Sequence, residues 1–330
     1  MNHGIKTAAE TAAGGYERRL AAQVPDELAG LRFDRVLAEL FPDYSRARLQ
    51  LWMRDGRVSV DGRQPRPRDK ARGGERVEVL ARVEPDTAWR AEARALDIVY
   101  QDRDLLVINK PAGLVVHPAA GNRAGTLLNA LLHHAPELAL LPRAGIVHRL
   151  DKDTSGLLVV ARTLEAHTRL VAALQARAVE REYEAIVCGV MTAGGRIEAP
   201  IGRHPTQRTR MAVREQGRAA VSHYRVLERF RAHTRVQVRL ESGRTHQIRV
   251  HMAHIHHPLV GDPTYGGRLR LPPGCSPGLA EALRGFRRQA LHARRLALAH
   301  PASGEAMAWT APLPPDMETL LATLREDMLQ

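Results

Sequence analysis

A carboxylate set among cations stays ionised and can serve as a nucleophile or a base, and residues 148–156 place one that way. His148-Arg149-Leu150-Asp151-Lys152-Asp153-Thr154-Ser155-Gly156 is a charged turn that runs directly into the apolar stretch Leu157-Leu158-Val159-Val160-Ala161. Asp151 has Arg149 two residues before it and Lys152 directly after it. A turn that enters a core strand holds its polar side chains at the lip of a rigid scaffold, where they can be aimed into a cleft. The run from Asp151 to Gly156 also matches the first half of a calcium loop. Such a loop needs a bidentate glutamate at its twelfth position; here that position is Arg162, and an apolar β-like run follows the glycine. Calcium is therefore excluded.

Three other stretches carry groups of interest. Gly243-Arg244-Thr245-His246-Gln247-Ile248-Arg249-Val250-His251-Met252-Ala253-His254-Ile255-His256-His257 packs five histidines into residues 246–257. No carboxylate or cysteine lies within that run, the next acid is Asp262, and the spacing of a hydrolytic zinc site is absent. Histidines that pack and hydrogen-bond around a basic surface are the better reading, and the arginines matter more: Arg244 follows a turn, and Arg249 falls in a predicted strand. In Arg181-Glu182-Tyr183-Glu184-Ala185-Ile186-Val187, Tyr183 opens a strand; alone it reads as a core tyrosine with a bonded hydroxyl. Asn109-Lys110-Pro111-Ala112-Gly113-Leu114-Val115-Val116-His117-Pro118 reads as strand, turn, strand.

The elements that must position these groups follow from periodicity. Phe33, Val36, Leu37, Leu40 and Phe41 fit one face of a helix; Ser45 then caps a second helix over residues 46–53, stopped by Gly56. Two strands follow, Arg57–Asp61 with an Asp61-Gly62 turn, and Arg76–Leu80. Beyond residue 97, strands are predicted at 98–100, 105–109, 183–187, 236–240 and 247–250, and helices at 125–134, 164–177, 278–288 and 316–329. The class is α+β with a mixed, largely antiparallel sheet, because strands and helices do not alternate as a regular βαβ repeat. The expected division is a disordered tail (1–26), a small basic domain (27–85), a linker (86–96) and a larger domain (97–330).

Composition bounds the partners. Of 330 residues, 49 are Lys or Arg and 36 Asp or Glu, a net charge of +13 that favours a polyanionic partner. Compositional bias can enrich arginine, but it does not account for the excess of arginine over acids. Residues 32–82 hold 13 Lys/Arg and 8 Asp/Glu, a net +5, so the basic character is concentrated there. Aromatic residues make up 4% of the chain, too few for a long base-stacking platform. Cys188 and Cys275 cannot form a disulfide framework, and no apolar run approaches the roughly 20 residues that span a bilayer. The expectation is a cytoplasmic, monomeric protein that does not engage membranes.

Residues 32–82 resemble the alpha-L RNA-binding domain first known from ribosomal small-subunit protein four. In that family two helices and the following turn grip folded RNA, and Arg35, Arg46, Arg48, Arg54 and Arg57 match its basic positions. A solvated helix face and a DNA-reading helix-turn-helix are the competing readings; the hairpin after the second helix favours the RNA domain. The four larger motifs, in their order, resemble the large-subunit-rRNA branch of the pseudouridine synthases. HRLDKDTSGLLVVA is similar to that family's nucleophile motif, REYEAIV to its tyrosine motif and SGRTHQIRVHMAHIHHPLVGDPTYGG to its third motif.

That resemblance implies a catalytic domain with a central cleft and an isomerase that converts uridine to pseudouridine. It implies Asp151 as the nucleophile, Arg244 as its paired cation, Tyr183 stacked on the target base and aiding deprotonation at carbon 5, and Arg149 entering the RNA where the uridine leaves. It also implies no cofactor and no metal, since the reaction involves neither redox change nor net hydrolysis. The implied partner is 23S rRNA or a large-subunit precursor. Within the family, FPDYSRARL, HPAAGN and RHPTQRTRMAV point to the clustered uridines of the helix 69 stem-loop. The alternatives are other 23S rRNA or tRNA uridines, a non-catalytic rRNA-binding assembly factor, or a metal-dependent nuclease built on the histidines.

Overall fold

The computed structural model describes residues 6–10, 16–42, 44, 46–83, 89–118, 122, 124–207 and 209–329. Near the N-terminus, β1 (Lys6–Glu10), β2 (Tyr16–Gln23), β3 (Val58–Val60) and β4 (Arg76–Val83) form an antiparallel sheet in the order β1-β2-β4-β3. Two helices, α1 (Phe33–Leu40) and α2 (Arg46–Arg54), pack on it. The predicted helical face is the buried one: Phe33, Val36, Leu37 and Phe41 meet Leu49, Trp52 and Met53 of α2 and Val77 and Val79 of β4. Asp61 and Gly62 both have positive φ, as the tight turn after β3 requires. The expected N-cap, Ser45, lies outside the described residues.

Two expected boundaries are corrected. Residues 16–23 are a strand rather than tail, paired with β4 in eight consecutive registers from Tyr16↔Val83 to Gln23↔Arg76. The segment YERRLAAQ carries little apolar bulk, so backbone ladder bonds, with Leu20 and Ala22 against the domain core, hold what side-chain pattern does not announce. Residues 89–96 lack regular structure, yet they are docked rather than a free linker. The Trp89 ring stands edge-on to His117 at 5.3 Å, the Arg90 carbonyl accepts from Asn129 Nδ2 at 2.7 Å, and the Glu92 carboxylate accepts from Gly125 N–H.

The larger domain is built on a nine-stranded sheet. Its strands are β5 (Ile98–Gln101), β6 (Leu105–Lys110), β7 (Ser155–Ala161), β8 (Glu180–Cys188), β9 (Gly195–Glu198), β12 (Val221–Arg229), β13 (His233–Leu240), β14 (Leu291–Ala299) and β15 (Ala306–Thr310). The order is β5-β6-β7-β14-β8-β13-β12-β9, with β15 paired to Arg295–Ala299 at the C-terminal end of β14. Only β7 and β14 run parallel; every other pairing is antiparallel. A separate hairpin joins β10 (Ile201–Arg203) to β11 (Met211–Val213).

Both sheet faces are covered, which is why β7 is buried along its whole length and apolar from Leu157 to Ala161. The pleat sends Leu106, Ile108, Leu158 and Val160 to one face, under α3 (Leu127–His134) and α5 (Gln247–His254). It sends Leu105, Val107, Leu157 and Val159 to the other, under α4 (Leu164–Gln175). The remaining helices, α6 (Pro277–Gly285) and α7 (Pro315–Asp327), close the far end around Ile186 and Val260.

Two local expectations change. Residues 247–250 are the first turn of α5, not a strand. His246 adopts a left-handed backbone (φ 58°) that turns the chain, and Gln247 through Met252 are then all buried, although polar and apolar residues alternate there as in a strand. The second arm of the 109–118 motif is likewise no strand: the Val115 and Val116 carbonyls accept the first N–H groups of α3.

Candidate active site

Asp151 sits in the turn that feeds β7, as its sequence setting predicts. The Asp151 carbonyl accepts from Thr154 N–H at 3.1 Å. The turn is fixed from three directions. Lys110, fully buried at the end of β6, donates from Nζ to the carbonyls of Pro111, Leu114 and Lys152 at 2.7–2.9 Å. Arg288 donates to the Asp153 carbonyl, and Gln289 Nε2 to Thr154 Oγ1. Burial pushes the Lys110 pKa down to about 7, against the pull of Asp153 and Asp151. All three carbonyl bonds need the ammonium form.

The cation paired with Asp151 is Arg249. Its Nη1 donates to Asp151 Oδ2 at 3.0 Å, while Nε and Nη2 grip both oxygens of Asp262 at 2.7 and 2.8 Å. The side chains are 17%, 6% and 0% exposed for Asp151, Arg249 and Asp262, so the triad grades from cleft to interior. Burial opposes the charge on both Arg249 and Asp262; their mutual bonds outweigh it, raising the Arg249 pKa and lowering that of Asp262. Asp262 is itself held by the N–H groups of Thr264 and Tyr265. His246 Nε2 stands 3.8 Å from Asp151 Oδ1, and His246 Nδ1 is 2.8 Å from the Tyr265 hydroxyl. Burial lowers the His246 pKa despite Asp151.

Arg244, expected in this role, does not pair with Asp151. It is exposed on the loop before α5, and its Nε donates to the Ala219 carbonyl at 3.2 Å. The correction has a simple cause. Arg249 lies in the first turn of α5 and His246 caps that helix in a left-handed turn, which brings both to Asp151 and leaves Arg244, ahead of the turn, against the Ala219 carbonyl; with 247–250 taken as a strand, that arrangement is lost.

Asp151, His246 and Arg249 line a cavity of about 870 Å³ that also contains Tyr183, Arg149, Arg181 and Arg244. Tyr183, buried on β8, enters it beside Asp151. Burial raises its pKa; Arg181 works against that shift and Asp151 adds to it, so the phenol is protonated at neutral pH and is no standing base. Arg149 is exposed at the rim. Of the histidine run, His251 bonds Ser222 and the Ala199 carbonyl, and His257 bonds the Cys188 carbonyl. The one group with metal-ligand proximity among the described residues is Asp102, Asp104 and His300, which includes none of them.

The RNA pseudouridylate synthase family matches residues 104–254. The chain is also 62% identical to a ribosomal large subunit pseudouridine synthase D from Pseudomonas aeruginosa over 307 residues, 93% of this chain and 96% of that one. The chain belongs to the RNA pseudouridylate synthase family. Another relative, the ribosomal large subunit pseudouridine synthase D of Escherichia coli K12, is 57% identical over 94% of this chain and 95% of its own. Among solved structures, human RNA pseudouridylate synthase domain containing 4 superposes with a TM-score of 0.54 at 29% identity, covering 69% of this chain and 92% of that chain. Human RNA pseudouridylate synthase domain containing 1 gives 0.53 at 28%, covering 71% and 89%.

The synthase's N-terminal basic residues divide by what they touch. Arg46 donates twice to Asp34, a fully buried carboxylate that Arg32 and Gln50 also bind. Arg57 pairs with Glu17, and Arg54 Nε donates to the Gln50 carbonyl. Arg48 is half-buried, and Arg35 is exposed. Sequence reasoning assigned no role to Lys110, Asp262 or His246. Lys110 had a signal: a lysine ending an otherwise apolar strand directly before a proline turn.

Proposed function

We propose that this synthase isomerises uridine to pseudouridine in 23S rRNA, at the clustered uridines of the helix 69 stem-loop, with Asp151 as nucleophile. The observation that carries the reading is the Asp151–Arg249–Asp262 chain, which holds one carboxylate in a cavity shared with Tyr183. The curated relatives, named as large-subunit synthases, support the choice of RNA. No helix among the described residues is long and apolar enough to cross a membrane, and the proposed site of action is the cytoplasm, as a monomer.

The target base must leave its stack, at a cost of a few kcal/mol, to reach Asp151. Arg149 at the rim fills the gap it leaves, and the Tyr183 ring stacks on the extruded base. Asp151 then attacks ribose C1′, attacks uracil C6, or removes a sugar proton to give a glycal; each route moves negative charge onto the uracil. Arg249 keeps the carboxylate oriented, and Asp262 keeps Arg249 oriented, so little reorganisation is needed at the moment of reaction. A non-catalytic assembly factor would have no need of this conjunction of groups.

Chemical mapping of pseudouridine in 23S rRNA after deletion of the gene tests the assignment. The helix 69 modifications should vanish and return with the wild-type gene. Unchanged modification there, with loss at other 23S rRNA or tRNA uridines, would move the target and retain the chemistry.

A further inference from the structure

Arg181 lies two residues before Tyr183 on β8, so both side chains leave the strand on the same face. It is 7% exposed and lines the cavity that holds Asp151. Its guanidinium makes no hydrogen bond or ion pair with any described residue, and its Nε is buried without a partner. The neighbouring acids are committed elsewhere: Glu180 and Glu182 pair with Arg295, and Glu182 also accepts from Gln237. Gly243 leaves room for the group, since a Cβ there would lie 2.9 Å from Arg181 Nη1. The other buried arginine of the cavity, Arg249, has two carboxylates.

A buried cation without a counter-ion is costly, and a protein retains one where an anion arrives during function. We propose that Arg181 is a catalytic residue whose guanidinium binds the uracil ring oxygens and takes up the negative charge that develops there. This rests on the reading of the site given above. When the bond from C1′ to N1 breaks, both electrons stay on the uracil and spread over N1, O2 and O4. C1′ is meanwhile satisfied by a bond to the Asp151 carboxylate, which leaves as the new bond forms, or by loss of the 2′ proton to Asp151, which returns it at that point. After rotation, the pair at C5 forms the new bond to C1′, the C5 proton leaves and N1 gains one. Nothing is oxidised or reduced. If instead Asp151 adds at C6, the displaced pair reaches O4, and the same guanidinium receives it. A backbone phosphate is the other anion at hand, but it would pass the rim, where Arg149 and Arg244 are exposed.

The test compares wild type, Arg181→Met and Arg181→Lys on an rRNA fragment carrying either uridine or 5-fluorouridine at the target. Single-turnover loss of the N-glycosidic bond is the readout. Fluorine stabilises the departing anion, so help from the protein matters less. The expected result is a slowing of about 10²- to 10³-fold for Arg181→Met on uridine, as for other removed charge-stabilising donors, with a penalty at least about tenfold smaller on 5-fluorouridine. Arg181→Lys should recover part of the rate. RNA affinity should change little, and the melting temperature of Arg181→Met should hold or rise, because an uncompensated buried charge has gone. Equal slowing on both substrates, or a large drop in melting temperature, would assign Arg181 to structure and overturn the proposal. Loss of affinity at an unchanged rate would assign it to a phosphate and overturn it equally. Failure of the wild type to rearrange either substrate would instead strike the functional reading itself.

Discussion

A single guanidinium joins two carboxylates at the centre of the site, and that geometry cannot be reproduced by a point charge. Arg249 reaches Asp151 with one nitrogen and Asp262 with two. Arg249→Lys keeps a cation but not the planar fork, so we expect a fall in kcat of about 10²-fold with little change in RNA affinity. Arg249→Met should also lower stability by about 3–5 kcal/mol, because Asp262 is left charged and buried; denaturant titration would measure it. Lys110→Met would strand three carbonyls around the Asp151 turn, with an expected stability loss of about 1–3 kcal/mol and a lower kcat. At this scale the placement of Asp151 was legible, because a charged turn before an apolar run sets it at the mouth of a strand; Tyr183 alone reads as a core tyrosine, and only the family resemblance put it in the same cavity. The choice of Arg249 over Arg244 was not legible, since it depends on the turn that opens α5, and Asp262 gains its meaning only from a partner 13 residues earlier.

The element that carries Asp151 depends on one close approach. Gly156 has φ +112°, and a Cβ there would lie 2.3 Å from the Ala293 carbonyl oxygen, where β7 and β14 run parallel. Gly156→Ala therefore strains the backbone and forces the two central strands apart. We expect a loss of more than about 3 kcal/mol, with activity falling in step, as measured by urea unfolding and turnover on the same preparation. This glycine, which in sequence also suits a calcium loop, is explained by strand packing. Long periodic elements such as α1, α3, α4 and α7 were legible from spacing alone. Residues 247–250 and β2 were not: Gln247-Ile248-Arg249-Val250 alternates polar and apolar as a strand does, and β2 is held by a ladder whose partner lies some sixty residues away.

The whole molecule joins a basic N-terminal unit to the catalytic sheet, and Leu140 and Leu164 of the larger domain pack against the smaller one's core. Of the N-terminal arginines, Arg46 neutralises buried Asp34, so Arg46→Ala should lower stability. Arg35→Ala should leave stability unchanged and reduce the salt dependence of rRNA binding by about one unit of slope. Acid should loosen the entire fold. Burial pushes His148 down to about 3, and His233 and His292 down to about 4. Below pH 6.5 the unfolded chain takes up protons that these folded histidines refuse. Stability is therefore lost as pH falls from about 6.5 toward 4, by roughly 3 kcal/mol for each of the buried His233 and His292 and by less for the half-buried His148; melting temperatures across that range would check it.

The central claim is that one carboxylate performs the chemistry while the rest of the molecule presents the RNA. The most direct measurement is pseudouridine formation in 23S rRNA fragments by purified Asp151→Asn, with filter binding to the same RNA. The account predicts near-native affinity and no detectable pseudouridine. Pseudouridine formed at the wild-type rate by that variant would contradict it.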